Sequence, residues 1–239
     1  TSTGSGVAFE DAAGGGPTFK TFGTDSIMVG DDATGTINAA NYNSGFGVDV
    51  FADLTTGDYN TAIGYAALTN NTTANENTSV GYESMLTNVS GQYNTALGSS
   101  ALLANTTASN NTAIGRQSLT ANTTGTANTA VGIGSLKTTI SGGYNTAVGM
   151  NACSLTTAAD NTGLGYGALQ TNSSGTRNLA VGGMALYTST TAAKNTAVGY
   201  EALYLNTTGA NNTAVGEKSL RANTTAGSNT AVGKSALAS

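Results

Sequence analysis

A pentapeptide of the form Asn-Thr-Ala-Val-Gly returns along this chain at a fixed interval. It begins at Asn60 and recurs at Asn77, Asn94, Asn111, Asn128, Asn145, Asn161, Asn178, Asn195, Asn212 and Asn229. The steps are 17 residues, apart from one of 16 between Asn145 and Asn161. A unit this short cannot bury a core by itself, so each copy must be one rung of a stack. That constraint excludes ordinary globular folds before any other property of the chain is considered.

With the asparagine as position 0, Gly occupies position 4 of every rung, as in Gly64, Gly98, Gly132 and Gly199. A Gly fixed at one phase marks a backbone with positive φ or no room for a Cβ. Position 3 is always aliphatic (Ile63, Val80, Leu97, Val131), and position 8 is Leu apart from Met85 and Cys153. Positions 2 and 7 are small, and position 1 is Thr except at Leu179. The run from 0 to 3 favours β-structure, and a second short extended piece fits positions 6 to 9. The following Asn-Thr-Thr-Gly segments are turn material. Two strands and two turns per rung are therefore expected, stacked as parallel strands about 4.8 Å apart, with positions 2, 3, 7 and 8 forming the core.

The phase extends backwards in degraded form. Asn43 is followed by Phe46, Gly47 and Phe51 at positions 3, 4 and 8, and Ser26 by Val29 and Gly30. The sequence thus predicts an all-β chain, a parallel β-solenoid or β-roll of about 13 rungs and roughly 60 Å. Residues 60–239 form its regular part, 26–59 its degenerate rungs, and 1–25 an N-terminal linker or cap. A core this thin is small against the entropy of ordering 17 residues per rung. Oligomerisation would bury a further face, and a homotrimer is expected.

Charged residues are only 9% of the chain. Residues 1–58 hold Glu10, Asp11, Asp25, Asp31, Asp32, Asp49, Asp53 and Asp58 against Lys20, in a spacing that matches no calcium loop. No basic stripe with interleaved aromatics points to nucleic acid. No segment is long and apolar enough to cross a membrane as a helix. The chain has no His and no Trp, which removes the commonest general base. Within the regular rungs Glu76, Glu83, Asp160, Glu201 and Glu217 are scattered in phase, so no carboxylate pair is formed. No Gly-Lys-Ser/Thr follows the glycines, so they make no phosphate loop. No catalytic, cofactor or metal site is expected.

Three local features complete the reading. Asn71, Asn88, Asn105, Asn122, Asn172, Asn206 and Asn223 head Asn-x-Ser/Thr sequences, and their shared position 11 makes them turn residues. Cys153 is expected to be a buried small hydrophobe. The 16-residue step should shorten a turn while the strands keep register. Position 5 is variable and places Tyr65, Tyr82, Tyr166 and Tyr200 at the Gly corner, where they could form a surface strip contacting a ligand such as a sugar.

The run Asn-Thr-Ala-Val-Gly-Tyr-Glu-Ala-Leu-Tyr-Leu-Asn-Thr-Thr-Gly at Asn195 to Gly209 resembles repeats in long tail-fibre proteins of bacteriophages. It is also similar, more distantly, to the shorter Asn-x-x-Ala-Ile-Gly repeats in the heads of trimeric autotransporter adhesins. The resemblance covers residues 60–239 well and 26–59 weakly. It implies a homotrimeric, extracellular rod that attaches to a host surface glycan or protein. An open solenoid end exposes strand edges, so adjoining fibre or tail proteins are expected at the ends. A bacterial surface adhesin or filament subunit is the alternative. An ice-binding solenoid, suggested by the Thr row at position 1, is a weaker one because Leu179 and the 16-residue step interrupt that row.

Overall fold

The computed structural model describes residues 18–22, 26–30 and 39–239. The proposed cap or linker is thus described only at 18–22. Glu10, Asp11, Asp25, Asp31 and Asp32 lie outside the described residues. One 14-stranded sheet runs in strict sequence order. Strand β1 (Thr18–Phe22) pairs antiparallel with β2 (Ser26–Gly30), and β2 pairs parallel with β3 (Ser44–Gly47). Eleven three-residue strands follow, from β4 (Thr61–Ile63) to β14 (Thr230–Val232), each parallel to the last. The thirteen parallel strands from β2 onward and their ~17-residue spacing are the expected β-solenoid. It makes about twelve turns and contains no helix among the described residues.

Two expectations need correction. Position 3 does not face the core. Side chains alternate across a strand, and Ala at position 2 points inward, as in Ala62, Ala96 and Ala130. Positions 1 and 3 must then point outward, and Ile63 and Leu97 are 43% and 47% exposed. The interior receives the position-2 methyl, the small residue at position 7 and the Leu at position 8, exemplified by Ala130, Ser135 and Leu136. In the regular rungs a small residue fills this slot, whereas the first rung seats the buried Met28 at position 2.

The second correction is that positions 6 to 9 form no strand. Positions 6 and 8 both have positive φ, as in Glu201 (52°) and Leu203 (52°). Negative and positive φ therefore alternate along this wall. A turn closes positions 4 to 7, with Ala202 N donating to Gly199 O at 3.2 Å. Positive φ at its third residue matches a type II turn. A second closes positions 8 to 11, with Asn206 N donating to Leu203 O at 3.1 Å. The wall still binds its neighbours. Position 6 donates to the rung before (Glu201 N to Gly183 O, 3.0 Å), and position 8 to the rung after (Leu203 N to Ser219 O, 3.0 Å). Non-β backbone thus stacks as continuously as the sheet opposite it.

Position 4 shows why Gly is obligatory. Gly132 has φ of 128°, and a Cβ there would lie 2.6 Å from the carbonyl carbon of Gly149 in the next rung. Such a φ is essentially closed to other residues, and the same clash repeats up the stack.

Two asparagine ladders run through the interior. At position 0 each Asn backbone N–H donates to the Oδ1 of the Asn one rung before. The series opens with Asn43 N to Ser26 Oγ (2.9 Å) and Asn60 N to Asn43 Oδ1 (2.8 Å). It continues through every rung to Asn229 N to Asn212 Oδ1 (2.9 Å). The same Asn Nδ2 donates to the position-14 carbonyl of its own rung, as Asn128 does to Gly142 O at 2.9 Å. At position 11 a second Asn donates to that same carbonyl, as Asn88 does to Gly91 O at 2.9 Å. This second ladder is interrupted by Leu54, Thr139, Thr156 and Ser189.

The irregular rungs compensate locally. At the rung from Asn43, Met28 of the rung before and Val50 and Phe51 of its own rung crowd the place of a Cβ on Gly45 at 3.1, 3.0 and 3.2 Å. Large residues at three core positions are balanced by Gly at the fourth, which conserves volume. In the 16-residue step, the thiol of Cys153 would sit 2.6 Å from a Cβ on Gly163. Cys replaces Leu and Gly replaces Ala as a pair. Strands β9 (Thr146–Val148) and β10 (Thr162–Leu164) keep full register there, Thr146 opposite Thr162, as expected. The missing residue falls in the turn: Asn145 Nδ2 reaches Ala158 O, 13 residues on rather than 14.

Candidate functional site: the outward faces of the rod

The interior offers no reactive group in reach of solvent. Cys153 is fully buried, and burial pushes its thiol up to about 12 against a small opposing effect of Thr156. A thiol so far above its ordinary value carries almost no thiolate near neutral pH. The seven sequon asparagines are all engaged at position 11, six of them fully buried and Asn223 half-buried near the end of the stack. Function must therefore be sought on the outward faces.

Tyr65, Tyr82, Tyr166 and Tyr200 stand where position 5 places them, exposed at the Gly corner. They do not form one continuous strip. Tyr65 and Tyr82 stack with centroids 5.4 Å apart and planes at 14°. Tyr166 and Tyr200 are separated by Gly183, over which the Tyr200 ring lies. Glu83, hydrogen-bonded to the Tyr82 hydroxyl, raises that phenol above its ordinary range, and Glu201 does the same to Tyr200. Both remain neutral phenols, each with its one O–H proton directed to the neighbouring carboxylate.

Positions 3 and 5 flank the same Gly corner, and together they collect much of the exposed apolar surface. Phe46, Ile63, Leu97 and Val148 lie on one side, with Tyr65, Ile133 and Met150 on the other. Position 3 makes an aliphatic row along the regular rungs, and position 5 adds to it only in part, being Ser99, Arg116, Gly183, Glu217 and Lys234 in the other rungs. Sequence reasoning placed position 3 in the core and so missed this row. The β-alternation around the invariably small position 2 was the signal that could have found it.

A second aromatic column, at position 9, is covered at one end. Tyr187 and Tyr204 stack at 5.4 Å, and Arg221 covers Tyr204 at 5.1 Å from its centroid. Glu201 Oε2 holds Arg221 Nε at 2.6 Å, and that bond keeps the Glu201 carboxyl below its ordinary range. Arg221 thus covers one end of the stack, and Gly167 lies beside the Cδ2–Cε2 edge of Tyr187 at the other.

A third column, at position 16, is open. Tyr42 and Tyr59 stack at 4.8 Å and 9°. In the next rung the same position is Glu76, and a groove of about 450 Å³ lined by Tyr59, Glu76 and Thr78 opens there. This site was also missed, although Tyr42, Tyr59, Tyr93 and Tyr144 share one phase in the sequence. On the strand face, the outward Thr row at position 1 keeps register across the 16-residue step and is broken at Leu179. No helix among the described residues is long and apolar enough to cross a membrane. Compared with protein-family models, curated proteins and solved structures, the chain shows no significant match.

Proposed function

We propose that this chain is a structural segment of a virion tail fibre or comparable appendage, assembled as a homotrimeric rod that holds a host-attachment surface away from the particle. The observation that supports the reading is the outward aliphatic row at position 3, present in every regular rung and joined in part by apolar residues at position 5, over a solenoid with a core of one Leu and two small residues per rung. Exposed apolar surface of this extent on a soluble rod marks an interaction face. Three copies meeting along their Gly corners would cover it and add the burial that the thin core lacks. No chemistry is required of the segment. Its work is reach and stiffness, and three parallel copies multiply any weak surface contact into avidity.

Light scattering on the purified chain tests the assembly. Three protomers of 23.5 kDa give about 70 kDa. Charges introduced at this face, as in Leu97→Glu with Ile133→Glu, should release folded monomers, because both side chains are solvent-facing in the single chain. A folded wild-type monomer at 23.5 kDa would contradict the proposal.

A further inference from the structure

We propose that the groove between Tyr59, Glu76 and Thr78 is a binding site for a neutral saccharide of the hexose class. Its role in host attachment rests on the fibre reading above; its chemistry does not. Tyr42, one rung before, stacks on one face of Tyr59 and fixes the plane of its ring. The other face looks along the rod toward the next rung, where Glu76 replaces a third tyrosine. The groove of about 450 Å³ at that step is shallow and open to solvent, so it would seat one face of a ligand and leave the other exposed. The apolar C–H face of a pyranose ring matches a held aromatic face. A carboxylate beside it accepts bonds from sugar hydroxyls, and the Thr78 hydroxyl both donates and accepts.

The surroundings select among sugars. Residues 39–115 carry Asp49, Asp53, Asp58, Glu76 and Glu83 and no Lys or Arg. An acidic sugar would bring its carboxylate beside Glu76 in this negative field, so neutral sugars are favoured. A quaternary ammonium is a poorer fit. Such cations are held by several aromatic walls, and among the described residues one tyrosine lines this groove. Thr78 and Val80 point to the same side of strand Thr78–Val80, so the groove adjoins the position-3 row on its position-16 side.

The test is ligand-observed NMR on the full chain with methyl glucoside, methyl galactoside, methyl mannoside, methyl glucuronide and choline as probes. At least one neutral glycoside should bind with Kd of about millimolar, the glucuronide at least about tenfold more weakly. Tyr59→Ala should weaken the neutral glycoside at least about tenfold, and Glu76→Gln about threefold to tenfold. Tyr59→Phe should retain most of the binding, and Tyr65→Ala should leave it unchanged. No binding by any neutral glycoside, equal binding by Tyr59→Ala with its fold intact, or preference for choline would overturn the assignment. The two proposals fail separately. Glycoside binding without any binding of the rod to bacterial cells would sink the attachment reading and leave the groove. Cell binding that survives both free glycoside and Tyr59→Ala would remove the groove's role and leave attachment.

Discussion

The two asparagine ladders lie in one interior, yet one is unbroken from Ser26 to Asn229 and the other is interrupted four times. Their hydrogen-bond partners explain the difference. Each position-14 carbonyl accepts from both ladders where both are present: Gly91 O takes Asn77 Nδ2 at 2.9 Å and Asn88 Nδ2 at 2.9 Å. Where position 11 is Leu54, Thr139, Thr156 or Ser189, the carbonyl keeps the position-0 donor alone. Gly57 O keeps Asn43, Gly142 O keeps Asn128, Ala158 O keeps Asn145, and Ala192 O keeps Asn178. Position 0 has no such reserve. Its Oδ1 is the acceptor for a buried backbone N–H of the next rung, which has no other partner. An unpaired buried amide costs far more than a lost redundant bond.

The interrupted ladder does leave traces. Among the described residues, the buried side-chain atoms without a partner are Asn71 Oδ1, Thr156 Oγ1 and Ser189 Oγ, all at position 11. Thr156 lies beside the Cys153 thiol, which is only a weak partner. A repeat stack thus tolerates defects on the doubly served ladder and none on the singly served one.

The largest expected effect comes from breaking position 0 where no second donor remains. Asn128→Ala would strand the Asn145 N–H, which now donates to Asn128 Oδ1 at 3.0 Å, and the Gly142 carbonyl. A loss of about 2–4 kcal/mol is expected in urea unfolding. Asn88→Ala, on the other ladder, should cost only about 1 kcal/mol. Gly91 O keeps Asn77, and Asn105 Nδ2, which now reaches Asn88 Oδ1, keeps Ala108 O. Equal losses for the two variants would break the comparison. Repair should run the other way. Ser189→Asn places an asparagine between Asn172 and Asn206 and restores the second donor to Ala192 O, for a gain of about 0.5–1 kcal/mol. An unchanged or lowered urea midpoint would show that the slot at Ser189 differs from its neighbours.

The smallest effect near neutral pH belongs to Cys153, inside the most altered rung. Its folded pKa of about 12 lies above its unfolded value of about 8.5. The protonated thiol favours the fold below about pH 8.5, and that contribution is lost as pH rises towards 12. Alkylation with iodoacetamide at pH 8 should be undetectable in the folded chain and prompt in urea. Cys153→Ala should flatten the alkaline decline of the urea midpoint. Rapid alkylation of the native protein would mean that this rung opens locally.

The period, the parallel stack of rungs back to Ser26, the obligatory Gly and the retained register at the 16-residue step were all legible in the sequence, because stacking forces one residue type onto one phase; the second strand expected in each rung was not there. The direction of each side chain was less legible. Position 3 looked like core because it was uniformly aliphatic. Uniformity at an outward position has the same appearance when an exposed edge runs along the rod. The wall at positions 6 to 9 read as strand because Ala and Leu carry no mark of positive φ, and no propensity scale anticipates Leu203 at φ 52°. Tyr65, Tyr82, Tyr166 and Tyr200 were placed correctly on the surface. The open ring face at Tyr59 was not found, since it depends on Glu76 ending a stack that the sequence alone does not reveal.

Hydrogen exchange on chain labelled with 15N-asparagine tests the central claim most directly, because the label reports both ladders in one spectrum. The position-0 backbone amides, Asn60 through Asn212, should be the slowest set and exchange only with global unfolding. The side-chain amides at position 11 should exchange faster, first beside Thr139, Thr156 and Ser189. Position-0 amides that exchange as fast as the position-11 side chains would contradict the account.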